Sequence, residues 1–165
     1  MADDVVLNKA ASIERCVARA REEYEADSQS FTTNFSRQDA AILNIQRACE
    51  ACLDMGQHII RRESLGLPQS ARDIFTLLAQ SGWIDEALAN AMKRMVGFRN
   101  IAVHEYQALQ LPILLNIIKL HLADFSEFSR CILLKDASHN PQAITQDKTE
   151  ASDGMRQPDK LSKGI

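Results

Sequence analysis

The stretch RQDAAILNIQRACEACLDMGQHIIRRE, residues 37–63, decides the fold. Ala41, Ile45, Ala48, Cys52, Met55 and Ile59 recur at steps of 4, 3, 4, 3 and 4, the spacing of one apolar face of an α-helix. At 1.5 Å per residue such a helix is about 40 Å long, enough for the spine of a bundle. Ser36 is a candidate N-cap, with Asp39 three residues on in the manner of a shortened capping box. Ser64-Leu65-Gly66-Leu67-Pro68 stops the helix, with Gly for the C-cap and Pro unable to continue it.

The neighbouring segments carry the same period. Residues 3–25 read as a helix with Val6, Ile13, Val17 and Ala20 on one face. Ser70 caps a short helix over 71–80, stopped by Ser81-Gly82. A fourth starts near Ile84, with Asp85 and Glu86 in its first turn, where the helix dipole favours acid. It turns Leu88, Met92, Met95 and Val96 inward and reaches at least Gly97. The last starts at Pro112, a favoured first helical residue, and runs to about Leu134 with Leu115, Ile118, Leu122, Phe125 and Phe128 inward. Residues 136–165 hold few large apolar side chains and cannot offset their ordering entropy by burial, so a disordered tail is expected there. The expected architecture is an all-α antiparallel bundle over residues 1–135 followed by that tail.

Composition narrows the function classes. The 165 residues carry 19 Lys+Arg against 22 Asp+Glu, a formal net charge of −3, which excludes a globally basic nucleic-acid or membrane-surface protein while leaving a local basic patch open. The acidic start Met1-Ala2-Asp3-Asp4 lacks a signal-peptide pattern. The most apolar run, Leu109–Leu122, is too short and too polar to span a bilayer. Four cysteines, Cys16, Cys49, Cys52 and Cys131, suit a reducing cytoplasm, the expected location. No Gly-rich phosphate loop, nucleophile elbow or zinc helix is present, and no cofactor or metal is expected. Cys49-Glu50-Ala51-Cys52 has no second ligand pair, so both thiols are expected in the core. His58 and His121 are expected to be satisfied or surface residues, His139 falls in the expected tail, and Trp83 is expected to pin its loop against the bundle.

The stretch Met95-Val96-Gly97-Phe98-Arg99-Asn100-Ile101-Ala102-Val103-His104-Glu105-Tyr106 is of another kind. Polar groups crowd around an apolar triplet, as they do at the edge of a core. Asn100 and His104 lie within about 40° of each other on a straight helix, whereas Arg99 and His104 diverge by about 140°. Either the helix bends or ends inside the stretch, or a second chain completes a site, or the stretch is a helix end decorated with polar side chains.

Arg99-Asn100-x-x-x-His104-x-Tyr106 resembles the R-x4-H-x-Y signature of HEPN-domain proteins, specifically the HepT-like toxins. The segments Ile42–Ala51, Leu67–Phe75 and Met95–Arg99 resemble that family too, and the likeness runs in order over residues 3–134. It implies a four- or five-helix bundle forming a two-fold homodimer around a shared cleft. It also implies metal-independent endoribonuclease activity as the toxin of a toxin–antitoxin pair. The implied partner is a minimal, MntA-like nucleotidyltransferase antitoxin that silences the toxin by transferring AMP to the motif tyrosine. RNA supplies its own nucleophile, the 2′-hydroxyl. His104 then suits general acid–base work near neutral pH, and Arg99 suits charge developing on the phosphate. Asn100 would hold the phosphate or orient His104, and Tyr106 would bond substrate and accept AMP, adding bulk and negative charge that repel RNA. Arg61, Arg62, Lys93 and Arg94 are candidates for the local basic surface. The alternative is a non-catalytic helical module that docks or regulates a nucleotidyltransferase; a cleft too narrow or too weakly basic for RNA would favour it.

Overall fold

Each of the first four helices of this chain opens on a short polar side chain that caps it. The computed structural model describes residues 3–139. Asp3 accepts from the Val5 and Val6 amides and opens α1, Asp4–Glu25. Asn34 accepts from Arg37 N and opens α2, Phe35–Glu63. Ser70 opens α3, Ala71–Gln80, and Asp85 opens α4, Glu86–His104. These oxygens satisfy amides that have no partner inside their own helix. The expected cap Ser36 is therefore one residue inside α2, and Asp39 is released from capping. At the other end of α2 the left-handed residue is Ser64 (φ 53°), not glycine. The Leu65 amide reaches back to the Ile60 carbonyl at 3.0 Å, a Schellman closure that imposes this conformation on whichever residue stands there.

Beyond α4, a 3-10 turn (Tyr106–Ala108) leads to α5, Leu111–Asn116, a π-helical turn, Ile117–His121, and α6, Leu122–His139, which together form one rod. With the wider π turn in the rod, Leu114 is fully buried while Leu115 is partly buried against the core, and Ile118, Leu122, Phe125 and Phe128 face the core as expected. Among the described residues the chain is all helix.

Contacts between the helices set the topology. Lys9 of α1 pairs with Asp54 of α2 at 2.8 Å, and Asp3 meets the far end of α2, so α1 and α2 run antiparallel. Arg99 of α4 and Tyr106 just beyond it meet Glu50 and then Asp39 of α2, and Lys119 and Ser126 of the last rod meet Tyr24 and then Glu14 of α1, which makes α1, α2, α4 and α6 an up-down-up-down bundle. The short α3 packs on α2 and α4. The stripe Ala41, Ile45, Ala48, Cys52, Met55 and Ile59 is buried along its whole length.

One end of the bundle is tied by a polar knot. His58 Nε2 and Arg62 Nη1 lie 2.6 and 2.7 Å from Asp3 Oδ2, and Arg62 Nη2 reaches Asp136 at 2.7 Å. The Arg62 guanidinium also covers buried Trp83, whose ring stacks on His139 at 5.2 Å. These contacts carry α6 past the expected boundary at residue 135, and they place His139 and Asp136 in the fold instead of the tail. The remainder of the expected tail lies outside the described residues. Trp83 pins its loop, and His58 is satisfied by Asp3, both as expected.

The knot predicts acid sensitivity. Burial raises the Asp3 carboxyl, but bonds from His58, Arg62 and the Val6 amide outweigh it and hold the group at about 2. A carboxyl lowered on folding stabilises the fold above its unfolded value and loses that contribution as pH falls through the folded one. Between about pH 4 and pH 2 the wild type should lose about 2 kcal/mol through this group. Asp3→Asn should forfeit that amount at neutral pH and flatten the same window in denaturant titrations. Parallel acid limbs for the two proteins would refute the assignment.

Two glycines make opposite predictions. A Cβ on Gly56 would stand 2.6 Å from Ile74 Cγ2, a stiff β-branched methyl in the core, whereas one on Gly97 would meet only the end of the Arg72 side chain at 3.1 Å. Gly56→Ala should destabilise by about 1–2 kcal/mol, overpacking exceeding the helix-propensity gain. Gly97→Ala should stabilise by about 0.5–1 kcal/mol. Urea midpoints of the two variants check both signs.

Candidate active site at the end of α4

α4 runs unbroken through Arg99, Asn100 and His104 and ends at its C-cap, Glu105. The chain therefore does not bend between Arg99 and His104; it leaves the helix only between His104 and Tyr106. With the helix straight, the two side chains keep the divergence of about 140° that their spacing dictates. Their surroundings differ accordingly. His104 is exposed at the last helical residue, and Asn100, one turn earlier on its face, is half-buried. Arg99 points inward between α4 and α2, its side chain 18% exposed and its Nε 3.2 Å from Glu50 Oε1.

That approach is an ion pair without hydrogen-bond alignment, because Arg99 Nε is buried with no hydrogen-bond partner. A buried donor left unbonded costs about 1–3 kcal/mol, so Arg99 is not held here by an optimised structural bond. Beside it lies Cys49, whose thiol burial pushes up to about 12 although the guanidinium pulls the other way. Cys52 is fully buried too, and its burial likewise pushes the thiol well above the ordinary value. Both thiols are inert core groups, as expected, and all four cysteines are free.

Tyr106 begins the 3-10 turn after α4, and its hydroxyl donates to Asp39 Oδ1 on α2. Desolvation against α2 and then the Asp39 carboxylate push the phenol up to about 12. Asp39 and Glu50 belong to one stripe of α2, with Leu43 and Gln46 between them at steps of 4, 3 and 4. α2 thus meets the motif with a carboxylate at each end, one on Tyr106 and one on Arg99. Sequence reasoning missed both partners, since a carboxylate on a polar face is ordinary until its neighbour is known.

The basic surface also differs from expectation. Arg62 is committed to the knot, and with Arg61 it lies at the end of α2 remote from Tyr106. Arg94 lines a 330 Å³ groove with Phe98, Ile101, Ile113, Asn116 and His121, between α4 and the π turn. Lys93 stands on the Asn100–His104 face, and Arg72 from α3 joins it there, its Nε 3.4 Å from the Lys93 carbonyl and its guanidinium against Gly97. Among the described residues no three His, Cys, Asp or Glu side chains are grouped to hold a metal ion. No described helix is long and apolar enough to cross a membrane.

The family model for HepT-like ribonucleases matches residues 13–132. The mRNA nuclease HepT of Shewanella oneidensis is 49% identical over 126 residues, which are 76% of this chain and 94% of that protein. The tri-AMPylated Shewanella oneidensis HEPN toxin, solved in complex with MNT antitoxin, superposes with a TM-score of 0.75 at 48% identity, covering 79% of this chain and 97% of that one. A toxin–antitoxin crystal structure with AMP-PNP gives 0.76 at 48% identity, over 79% of this chain and 98% of the other. The Bacillus subtilis cytosolic protein YutE, at 21% identity, 79% and 92% coverage and a TM-score of 0.65, shares the fold. Over the helices that carry Arg99, His104 and Tyr106, the chain belongs to the HepT-like ribonuclease family.

Proposed function

We propose that this protein is the toxin of a toxin–antitoxin pair, a metal-independent endoribonuclease whose site is formed by Arg99, Asn100, His104 and Tyr106. The observation that carries this reading is the intact Arg99–His104–Tyr106 set, on the last turns of α4 and the 3-10 turn that follows, in a chain 49% identical to an mRNA nuclease. His104 takes the proton of the 2′-hydroxyl and returns one to the leaving oxygen. Arg99 offers a fork of donors, one of them still unbonded, to the phosphate. Asn100 shares the His104 face and supports it. Lys93 and Arg72 lie along that face and give RNA the local positive charge that the acidic whole lacks. The reaction uses the substrate's own hydroxyl, so no metal is needed to generate a nucleophile.

Arg99 and His104 diverge within one chain, and a two-fold homodimer brings one chain's Arg99 towards the other's His104. The antitoxin is an MntA-like nucleotidyltransferase that transfers AMP to Tyr106, as the AMPylated toxin–MNT complex of a 48% identical chain suggests. A reducing cytoplasm suits the four free thiols.

The test is RNA cleavage by purified, unmodified protein in EDTA. Cleavage that persists in EDTA supports the reading; cleavage restored only by a divalent cation, or absent altogether, overturns it. Sedimentation should return twice the 18.5 kDa chain mass. Mixing inactive Arg99→Ala and His104→Ala chains should restore about a quarter of wild-type activity, since half the dimers then hold one complete composite site. No recovery after subunit exchange would place each Arg99 and His104 pair within a single chain.

A further inference from the structure

The contact between Tyr106 and Asp39 has a chemical consequence that rests on the reading of Tyr106 as the AMP acceptor. A phenol hydroxyl has one proton to donate and lone pairs left to react. Here the proton is aimed at Asp39 Oδ1, a carboxylate on a different helix, 67 residues away in sequence. The oxygen keeps its lone pairs for reaction, and Tyr106 is exposed enough, at 44%, for a second molecule to reach it. Asp39 is itself exposed. Its carboxylate therefore has a route by which to pass a proton on to water.

The state of the phenol argues that this proton needs a recipient. With the group pushed up to about 12, only about one molecule in 10⁵ carries a phenolate at pH 7. A nucleophile so scarce does not sustain transfer by waiting for spontaneous ionisation. The proton must leave as the new bond forms, and a positioned carboxylate is a sufficient acceptor.

We propose that Asp39 is the general base for adenylyl transfer to Tyr106. As the Tyr106 oxygen forms its bond to the α-phosphorus of ATP, the hydroxyl proton passes to Asp39 Oδ1. The bond from the α-phosphorus to the bridging oxygen breaks, and pyrophosphate leaves with that electron pair. Asp39 then releases the proton to solvent. The modified oxygen has no proton left to give, so the tie between Tyr106 and α2 is cut by the same event. The toxin thus supplies the base for its own silencing, and the nucleotidyltransferase supplies ATP and its alignment.

The experiment uses the full chain with the MNT antitoxin of the 48% identical Shewanella oneidensis complex and ATP labelled on the α-phosphate. Single-turnover rates are read at saturating antitoxin and ATP, and the modified residue is mapped by mass spectrometry. Asp39→Asn keeps an oxygen to hold the hydroxyl but cannot take its proton, so the transfer step should slow by about 10²–10³-fold while antitoxin affinity stays within about threefold. The wild-type rate should be flat between about pH 6.5 and 8.5, and the Asn variant should rise about tenfold per pH unit because only preformed phenolate reacts. Asp39→Glu keeps a carboxylate and should keep the flat profile. An Asn variant that matches the wild-type rate, or that slows with an unchanged pH profile, overturns the proposal and leaves Asp39 as a tether. A label mapped in the wild type to a residue other than Tyr106 overturns the acceptor reading itself.

Discussion

RNA cleavage by the His104→Ala protein is expected to fall by about 10²–10⁴-fold, the range that removal of a general acid–base group produces. The expectation depends on how little else His104 does. It is the last residue of α4, exposed, and outside the buried core. Truncating it removes a modest interaction with the helix C-terminus, about 0.3–1 kcal/mol when the ring is charged. The melting transition should accordingly stay close to wild type while cleavage collapses, and a binding titration with RNA should show affinity reduced far less than turnover. A variant that folds normally and still cuts at more than a tenth of the wild-type rate would remove His104 from the mechanism. Arg99→Ala should give a comparable loss of cleavage. Its stability cost should be small for another reason: the side chain it removes is a buried charge with an unbonded Nε.

The second large effect is structural. Phe128 of α6 is fully buried, stands edge-on to Phe75 of α3 with ring centroids 5.4 Å apart, and lies over the Gly56 gap in α2. It is the side chain at which three helices meet. Phe128→Ala should cost about 3–5 kcal/mol from lost burial and the cavity left behind. Against a typical total of about 5–15 kcal/mol, that is enough to bring the bundle close to unfolding at physiological temperature. Denaturant midpoints measure it directly. A loss below about 1 kcal/mol would mean that the three helices close over the gap, and that α3 is not anchored through this ring.

The helices were legible because their apolar stripes repeat at the helical period over many turns. The α2 stripe, the inward set of α4 and the inward residues of α1 are all buried as their spacing requires. The misplacements are local and have local causes. Asn34 outcompeted Ser36 for the start of α2, the Schellman closure placed Ser64 where a glycine was expected, and beside the π turn Leu114 is buried more deeply than Leu115. A single sequence does not rank two adjacent polar caps, and an added residue in a helical turn leaves no compositional mark.

Arg99, Asn100, His104 and Tyr106 were legible as a cluster because they are close along the chain. Their partners were not. Asp39 and Glu50 lie 67 and 49 residues before the side chains they meet, on a face that reads as ordinary solvated charge. Arg72 reaches the middle of α4 from α3, at Lys93 and across a gap that Gly97 leaves open. The knot of Asp3, His58, Arg62 and Asp136 likewise joins residues from both ends of the described chain at one end of the bundle, where the last helix continues to His139.

By itself, then, the sequence determined the period of each helix, the order of the helices and the cluster of candidate site residues, because these are properties of near neighbours along the chain. Only the tertiary structure decided which carboxylate faces the tyrosine, which faces the arginine, and that the helix stays unbroken from Arg99 to His104. Such pairings are set by the antiparallel alignment of α2 with α4, and that alignment depends on how whole apolar faces pack rather than on any stretch of residues read alone.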